Sequence, residues 1–225
     1  MATKREIIYT VIEKVKAHSD DSDITEEFIS SMVDTKRAML LKQQFSKNGW
    51  NIPIEIKQEI CISLETVDTI EGFSKAGQTV RSSISLPNRI KLKGLDGPIL
   101  IRKLDGRSMH INMIPIERLP YVGSNKFTAQ LTYAAIDMNG RLILFSNDNK
   151  VKFLKSLKIT DIFEYPEVAF SLECDNTQSG TMEPWDMDYP VEAAMIDTIV
   201  EMIVQDLVKT LQIPEDKLND ATDGR

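Results

Sequence analysis

The chain has 225 residues, with 27 Lys/Arg, 34 Asp/Glu and a formal net charge of −7. Its 42% hydrophobic and 27% charged residues match a soluble globular protein, long enough for one large domain or two small ones. No apolar run approaches the roughly 18 residues of a membrane-crossing helix, and Glu6 and Glu13 interrupt any secretory-signal core at the start, so neither is expected.

Taken in chain order, residues 3–18 place Ile7, Ile8, Val11, Ile12 and Val15 at helical spacing on one face. The acidic loop SDDSD (19–23) follows. Asp23 with Glu26 fits a capping box, and Thr25 is a rival N-cap with Ile24 and Ile29 spaced as a staple. A second helix is predicted to about Ser46, with Phe28, Ile29, Met32, Leu40, Leu41 and Phe45 as its apolar residues. Lys36, Arg37 and Lys42 come late in it, where they suit the helix dipole. Pro53 fits the first turn of a short third helix over IPIEIKQEI. In ICISLETVD, Ile60, Ile62 and Leu64 alternate with Cys61, Ser63 and Glu65, as in a strand.

From about residue 72 short β-branched segments are broken by Gly, Asn and Pro: QTVRSSI, RIKLKG, PILIRKL, SMHINMI, FTAQLTYAAID, RLILFS, VKFLKSLKI and VAFSLEC. MNG (138–140) supplies a hairpin turn. Pro190 then begins a long helix whose apolar face, from Val191 to Leu211, is broad enough to be covered on more than one side. The expected fold is α+β: a helical body from the N-terminal helices and a long C-terminal helix, with an antiparallel β domain inserted between them. The expected divisions are 1–71, 72–182, 183–211 and a polar tail, 212–225.

Chemistry is sparse. No phosphate loop, dinucleotide fingerprint, nucleophile elbow or HExxH occurs. His18 and His110 have no Cys or His at ligand spacing, so no zinc site is expected. GFSKAG (72–77) lacks the surroundings of a Ser–Lys hydrolase and reads as a loop. Asp186 and Asp188 in WDMDY could offer oxygen ligands to a hard cation, but a solvated loop fits them better. Cys61 and Cys174, each in an apolar setting, read as reduced, buried thiols. No catalytic, cofactor or metal residue is therefore assigned.

Charge is the stronger signal. Residues 72–160 hold fifteen Lys/Arg against five Asp/Glu, and residues 161–225 hold three against sixteen. Such segregation speaks of partners rather than fold. Two solvated faces would account for it. So would head-to-tail packing of identical subunits, basic face against acidic. A third reading sets Arg81, Arg89, Lys91, Lys93, Arg102, Lys103 and Arg107 against nucleic acid, as in a regulatory protein. Few aromatics alternate with these bases, so a base-stacking platform is not expected. A small hydrolase using His110 or the acidic loops is the remaining alternative.

The segment KITDIFEYPEVAF (158–170) lies where basic gives way to acidic. Ile159, Ile162 and Phe163 would anchor the end of the β domain, and Pro166 would halt the strand. A contact with a neighbouring subunit is expected there, through Phe163, Tyr165 and Pro166, with Trp185, Asp197 and Glu201 further on.

The order of several segments carries a resemblance: VDTKRAMLLKQQF (33–45), ICISLETVD (60–68), VRSSISLPNRIKL (80–92), IPIERLPYVGSNKFTAQLTYAAID (114–137), the NGRLILFS hairpin, KITDIFEYPEVAF, and PEDKLNDATD near the end. Together they resemble the ring and head–tail connector (adaptor) proteins of short-tailed, crAss-like bacteriophages. The resemblance implies a non-enzymatic virion protein, made in the host cytoplasm and carried at the portal–tail region. It implies a ring of about a dozen copies, in contact with the portal protein and adjacent tail rings. Double-stranded DNA would pass through without sequence-specific binding, and neither cofactor nor membrane is implied.

Overall fold

The computed structural model describes residues 2–17, 24–48, 52–67, 78–92, 98–104, 111–123, 125–147, 151–174 and 183–211. Their α-helices are α1 (Lys4–Lys16), α2 (Glu26–Asn48), α3 (Pro166–Phe170) and α4 (Ala193–Leu211). Their strands are β1 (Gln58–Thr66), β2 (Gln78–Ser82), β3 (Leu100–Lys103), β4 (Ile111–Met113), β5 (Thr132–Ile136), β6 (Leu142–Ser146) and β7 (Ser156–Asp161). This is an α+β chain with two compact units. One joins Met1–Leu40 to Trp185–Arg225, and the other is the continuous stretch Leu41–Pro184.

The first unit is helical. Thr3 caps α1 in a full capping box: its hydroxyl accepts from the Glu6 amide while the Glu6 carboxylate accepts from the Thr3 amide. Ile7, Ile8, Val11 and Val15 of α1 are buried, and α1 packs on α4, whose Met195, Ile199, Val200, Ile203 and Leu207 are buried in turn. Thr25 is the N-cap of α2, accepting from the Phe28 amide at 3.4 Å. Phe28 itself is more than half exposed, because the buried stripe of α2 runs one position on, through Ile29, Val33 and Arg37.

Arg37 is therefore not a dipole partner at the helix surface. It is fully buried, donating from Nε to the Pro190 carbonyl at 2.8 Å and lying 5.5 Å from the Tyr189 ring. Asp34, one turn earlier, takes Lys4 Nζ at 2.8 Å and the Tyr189 hydroxyl at 2.7 Å. Lys4, Asp34, Arg37 and Tyr189 are all buried, and they tie the start of α1, the middle of α2 and the approach to α4 into one polar cluster. Burial holds the Arg37 pKa below its ordinary value, against the pull of Tyr189 and Asp34.

The second unit is a seven-stranded sheet in the order β3-β7-β1-β2-β6-β5-β4. Its pairs are antiparallel except β4 with β5. A parallel pair needs a crossover, and the chain between β4 and β5 provides it. Ile114, Ile116, Leu119 and Val122 of that crossover cover Tyr133, Ala135, Ile143 and Phe145 on one face. On the other face Ile60, Ile62, Val80, Leu142, Leu144, Leu157 and Ile159 form the main core. Every residue of β6 is consequently buried. The β5–β6 hairpin turns as MNG predicts: Gly140 has φ +72°, and Asp137 Oδ1 accepts from the amides of Asn139 and Arg141 at 2.8 Å.

Three expectations are corrected. The helix over IPIEIKQEI is only a 3-10 turn at Ile54–Ile56, since β1 starts already at Gln58. The described residues 89–92 of RIKLKG, and VAFSLEC, are not strands. Arg89 makes a single bridge to Phe163, and Pro166 opens α3 at its first helical position, where its missing N–H is harmless. The cysteines are not reduced thiols. Cys61 and Cys174, 113 residues apart, form a disulfide. Beside it, the Cys61 amide donates to the Leu172 carbonyl at 2.8 Å, so the chain leaving α3 is stapled along β1.

Candidate functional site

The turn after β7 is fixed by backbone pairing on both sides. The Ile90 amide donates to the Ile162 carbonyl and the Glu164 amide to the Asn88 carbonyl, each at 2.8 Å. This pairing turns Phe163 inward, where it joins Ile60, Ile159 and Ala169 in the core. Phe163 and Pro166 are both buried within the chain's own fold. Tyr165 is half exposed, with the exposed Val168 three residues on, and Glu164 lies 3.8 Å from Lys42. Lys42, Glu164, Arg89 and Met138 are among the residues lining an open groove of about 630 Å³ beside this corner.

Beneath the corner, Asp161 is buried with Arg89 at 3.4 Å. Burial pushes its carboxyl from 3.8 up to about 6, outweighing the Ile162 amide and the Arg89 guanidinium, which pull it down. The folded protein thus holds this proton more tightly than the unfolded chain does. The resulting stability is fully present below about pH 4 and is lost as pH rises through about 6. A loss on the order of 3 kcal/mol, at about 1.4 kcal/mol per pH unit, is expected across that window. Asp161→Asn should flatten it, as read by urea unfolding of both proteins from pH 4 to pH 7.

Among its described residues, the sequence-predicted basic face does not form one exposed stripe. Arg89 is engaged with Asp161 and only a tenth exposed. Arg102 is half-buried on β3, beside Lys158 of β7, and Arg81 is half-buried opposite Glu65 of β1. Lys158 pairs with Glu59 at 2.5 Å and holds the Glu59 carboxyl below its ordinary range. Lys103 is half-buried and Lys91 exposed. Lys93, Arg107 and His110 lie outside the described residues, as do His18 and GFSKAG.

Of the acidic residues, Asp197 and Glu201 are exposed one turn apart on α4. Asp206, further along α4, pairs with Lys36, whose hydrogen bond lowers its pKa. Trp185 is half-buried in a 3-10 turn, Pro184–Asp186. WDMDY is a docked element rather than a solvated loop: Asp186 takes Arg5 Nε at 2.5 Å, and Asp188 forms a bridge with Thr3. Among the described residues no group of three or more His, Cys, Asp or Glu could hold a metal, and no helix is long and apolar enough to cross a membrane.

One surface is absent from the sequence-based expectations. The strand pairings bring the C-terminal ends of β1, β3 and β6 and the N-terminal ends of β2, β5 and β7 to one end of the sheet. Leu104, just after β3, is 58% exposed, Phe153, just before β7, is 78% exposed, and Phe127, in the turn before β5, is 87% exposed. Lys103, Lys126, Lys152 and Lys155 accompany them. The clue available in the sequence is the pair Lys-Phe, met twice in turn-like settings, in SNKFT and in NKVKF.

What these features define is a chain whose distinctive chemistry lies in surfaces of contrasting charge and in exposed aromatics, the material of assembly. It belongs to the phage tail ring protein 2 family of crAss-like phages, whose family model matches residues 6–224. It is 28% identical over 222 residues to Ring protein 2 of Bacteroides phage crAss001, covering 98% of this chain and 97% of that protein. The family is a structural one of virions, not a family of enzymes, and a ring protein implies association with other virion proteins.

Proposed function

We propose that this protein is a subunit of a ring in the portal–tail connector of a tailed phage, joining head to tail around the channel through which DNA passes. About a dozen copies would close the ring by repeating one heterologous contact. Its neighbours would be the portal protein and adjacent tail rings. The observation that carries the proposal is the match to a tail ring family along nearly the whole chain. Segregated charge supports it, because a chain that packs against two copies of itself needs complementary faces. The alternative of a nucleic-acid-binding regulator gains no support from the basic middle segment, whose Arg89 is bound to Asp161 and whose Arg102 is half-buried.

Imaging of intact particles at side-chain resolution tests the proposal directly. A closed ring of this chain about the channel axis is the expected result, and its absence from the portal–tail region would overturn it. Tyr165, held on the fixed corner, is proposed to touch the neighbouring subunit. Tyr165→Ala is expected to lower the copies incorporated per particle without lowering the melting temperature of the isolated protein. Unchanged incorporation would make the corner a loop with no partner.

A further inference from the structure

We infer that the sheet end bearing Leu104, Phe127 and Phe153 is the basic half of the contact between successive copies, and that it docks on the α4 face of the next copy that presents Asp197 and Glu201. This rests on the ring proposal and specifies its interface.

Local structure builds the surface from turns. The Phe127 amide donates to Asn125 Oδ1, and the Thr128 amide to the Asn125 carbonyl, so Lys126 and Phe127 stand at the tip of a short turn. Asn147, at the end of β6, donates to the Gly123 carbonyl and ties the start of that turn to the sheet. Across the sheet, the Leu154 amide donates to the Val151 carbonyl. Val151 is buried in the core while Lys152 and Phe153 face outward. The Lys155 carbonyl accepts from the Leu64 amide at 2.8 Å, which holds this second turn against β1. Two phenyl rings are therefore presented to water by well-anchored backbone, each next to a lysine.

A phenyl ring that exposed gains little from the fold and most from a partner that covers it. The lysines specify the sign of that partner. The strand carboxylates Glu59 and Asp161 belong to the opposite half of the sheet, each with its own cation, and Glu65 lies opposite Arg81. Among the described residues of this sheet end, Lys103, Lys126, Lys152 and Lys155 outnumber the single carboxylate Glu65, so it favours external negative charge. The chain supplies that charge itself: residues 161–225 carry sixteen acidic residues against three basic ones. Within α4, Asp197 and Glu201 stand exposed with Ala193, Ala194 and Thr198, small residues that leave room for a ring to lie flat. Unlike surfaces meeting in this way make a heterologous contact, the kind that propagates around a ring. Duplex DNA offers negative charge too, but its phosphates give no cover to phenyl rings.

Charge exchange tests the pairing. Phage are made carrying Lys152→Glu with Lys155→Glu, Asp197→Lys with Glu201→Lys, or all four substitutions, and the copies incorporated per particle are counted by quantitative mass spectrometry. Circular dichroism and melting of each purified chain check folding. Either pair alone is expected to reduce incorporation by about tenfold or more through like-charge contact, and all four together to restore most of it. Phe127→Ser with Phe153→Ser should reduce it as well, and no charge exchange should rescue that loss. Folded variants incorporated like the wild type, or a four-substitution chain no better than either pair, would overturn the inference while leaving the ring proposal intact. Normal incorporation of the Lys152→Glu, Lys155→Glu chain with loss of salt-dependent DNA binding would assign the surface to DNA and overturn it equally. A wild-type particle with no closed ring of this chain would instead refute the ring proposal itself.

Discussion

Asp34→Ala should destabilise the helical unit by about 3–5 kcal/mol, the range seen when one partner of a buried ion pair is removed. The reason lies in what it leaves behind. Lys4 and Arg37 are both buried beside Asp34, and the Tyr189 hydroxyl donates to it. Without the carboxylate, two cations share a site with little access to water. Desolvation already disfavours the charged form of Arg37 there. Asp34→Asn would keep an acceptor for Tyr189 and lose the charge, so it should cost less. Denaturant unfolding followed by helical circular dichroism reads both. A loss of under about 1 kcal/mol for Asp34→Ala, typical of an exposed pair, would show that water reaches the cluster.

Reducing the disulfide, or replacing Cys61 and Cys174 together by serine, should cost the sheet unit a similar amount. A cross-link between residues 113 apart removes loop entropy from the unfolded chain worth about 4–5 kcal/mol in the chain-entropy account. The folded state should change little, since the Cys61 amide to Leu172 carbonyl hydrogen bond and the packing of Ala169 remain. The expected result is therefore a lower denaturant midpoint with the native fold retained. Midpoints that coincide with and without reductant, after mass measurement confirms the change of two hydrogens, would contradict it.

The parts of this fold legible in sequence were those governed by local period. The stripe of α1, the alternation of β1, the turn at Asn139–Gly140 and the broad apolar face of α4 each follow from neighbours within a few residues. Long-range facts left no such trace. Arg37 and Asp34 look like ordinary charges on a helix until Lys4 and Tyr189 arrive from both ends of the chain. The disulfide joins two cysteines with no local signature. The apolar run from Val168 has strand composition, yet Pro166 and the staple to β1 make its start a helix.

The same limit applies to the candidate surfaces. Counting charge along the chain locates an excess of cations in 72–160 but not their faces. Strand register decides that Arg81 and Arg102 lie half-buried. It also decides that Lys126 and Lys152, before different strands, share one end of the sheet with Phe127 and Phe153. Phe163 and Tyr165, two residues apart, look alike in sequence. The bridge between Arg89 and Phe163 buries the one and leaves the other half exposed.

The way the chain is divided also orders its birth. The sheet unit is continuous, Leu41–Pro184, whereas the helical unit draws on both ends. All seven described strands are translated by Asp161 and α4 comes last, so the strands precede α4 off the ribosome. The apolar stripe of α1, Ile7, Ile8, Val11 and Val15, waits through nearly the whole of synthesis for its cover. During synthesis the N-terminal stripe is thus the apolar surface that stays without its α4 partner longest.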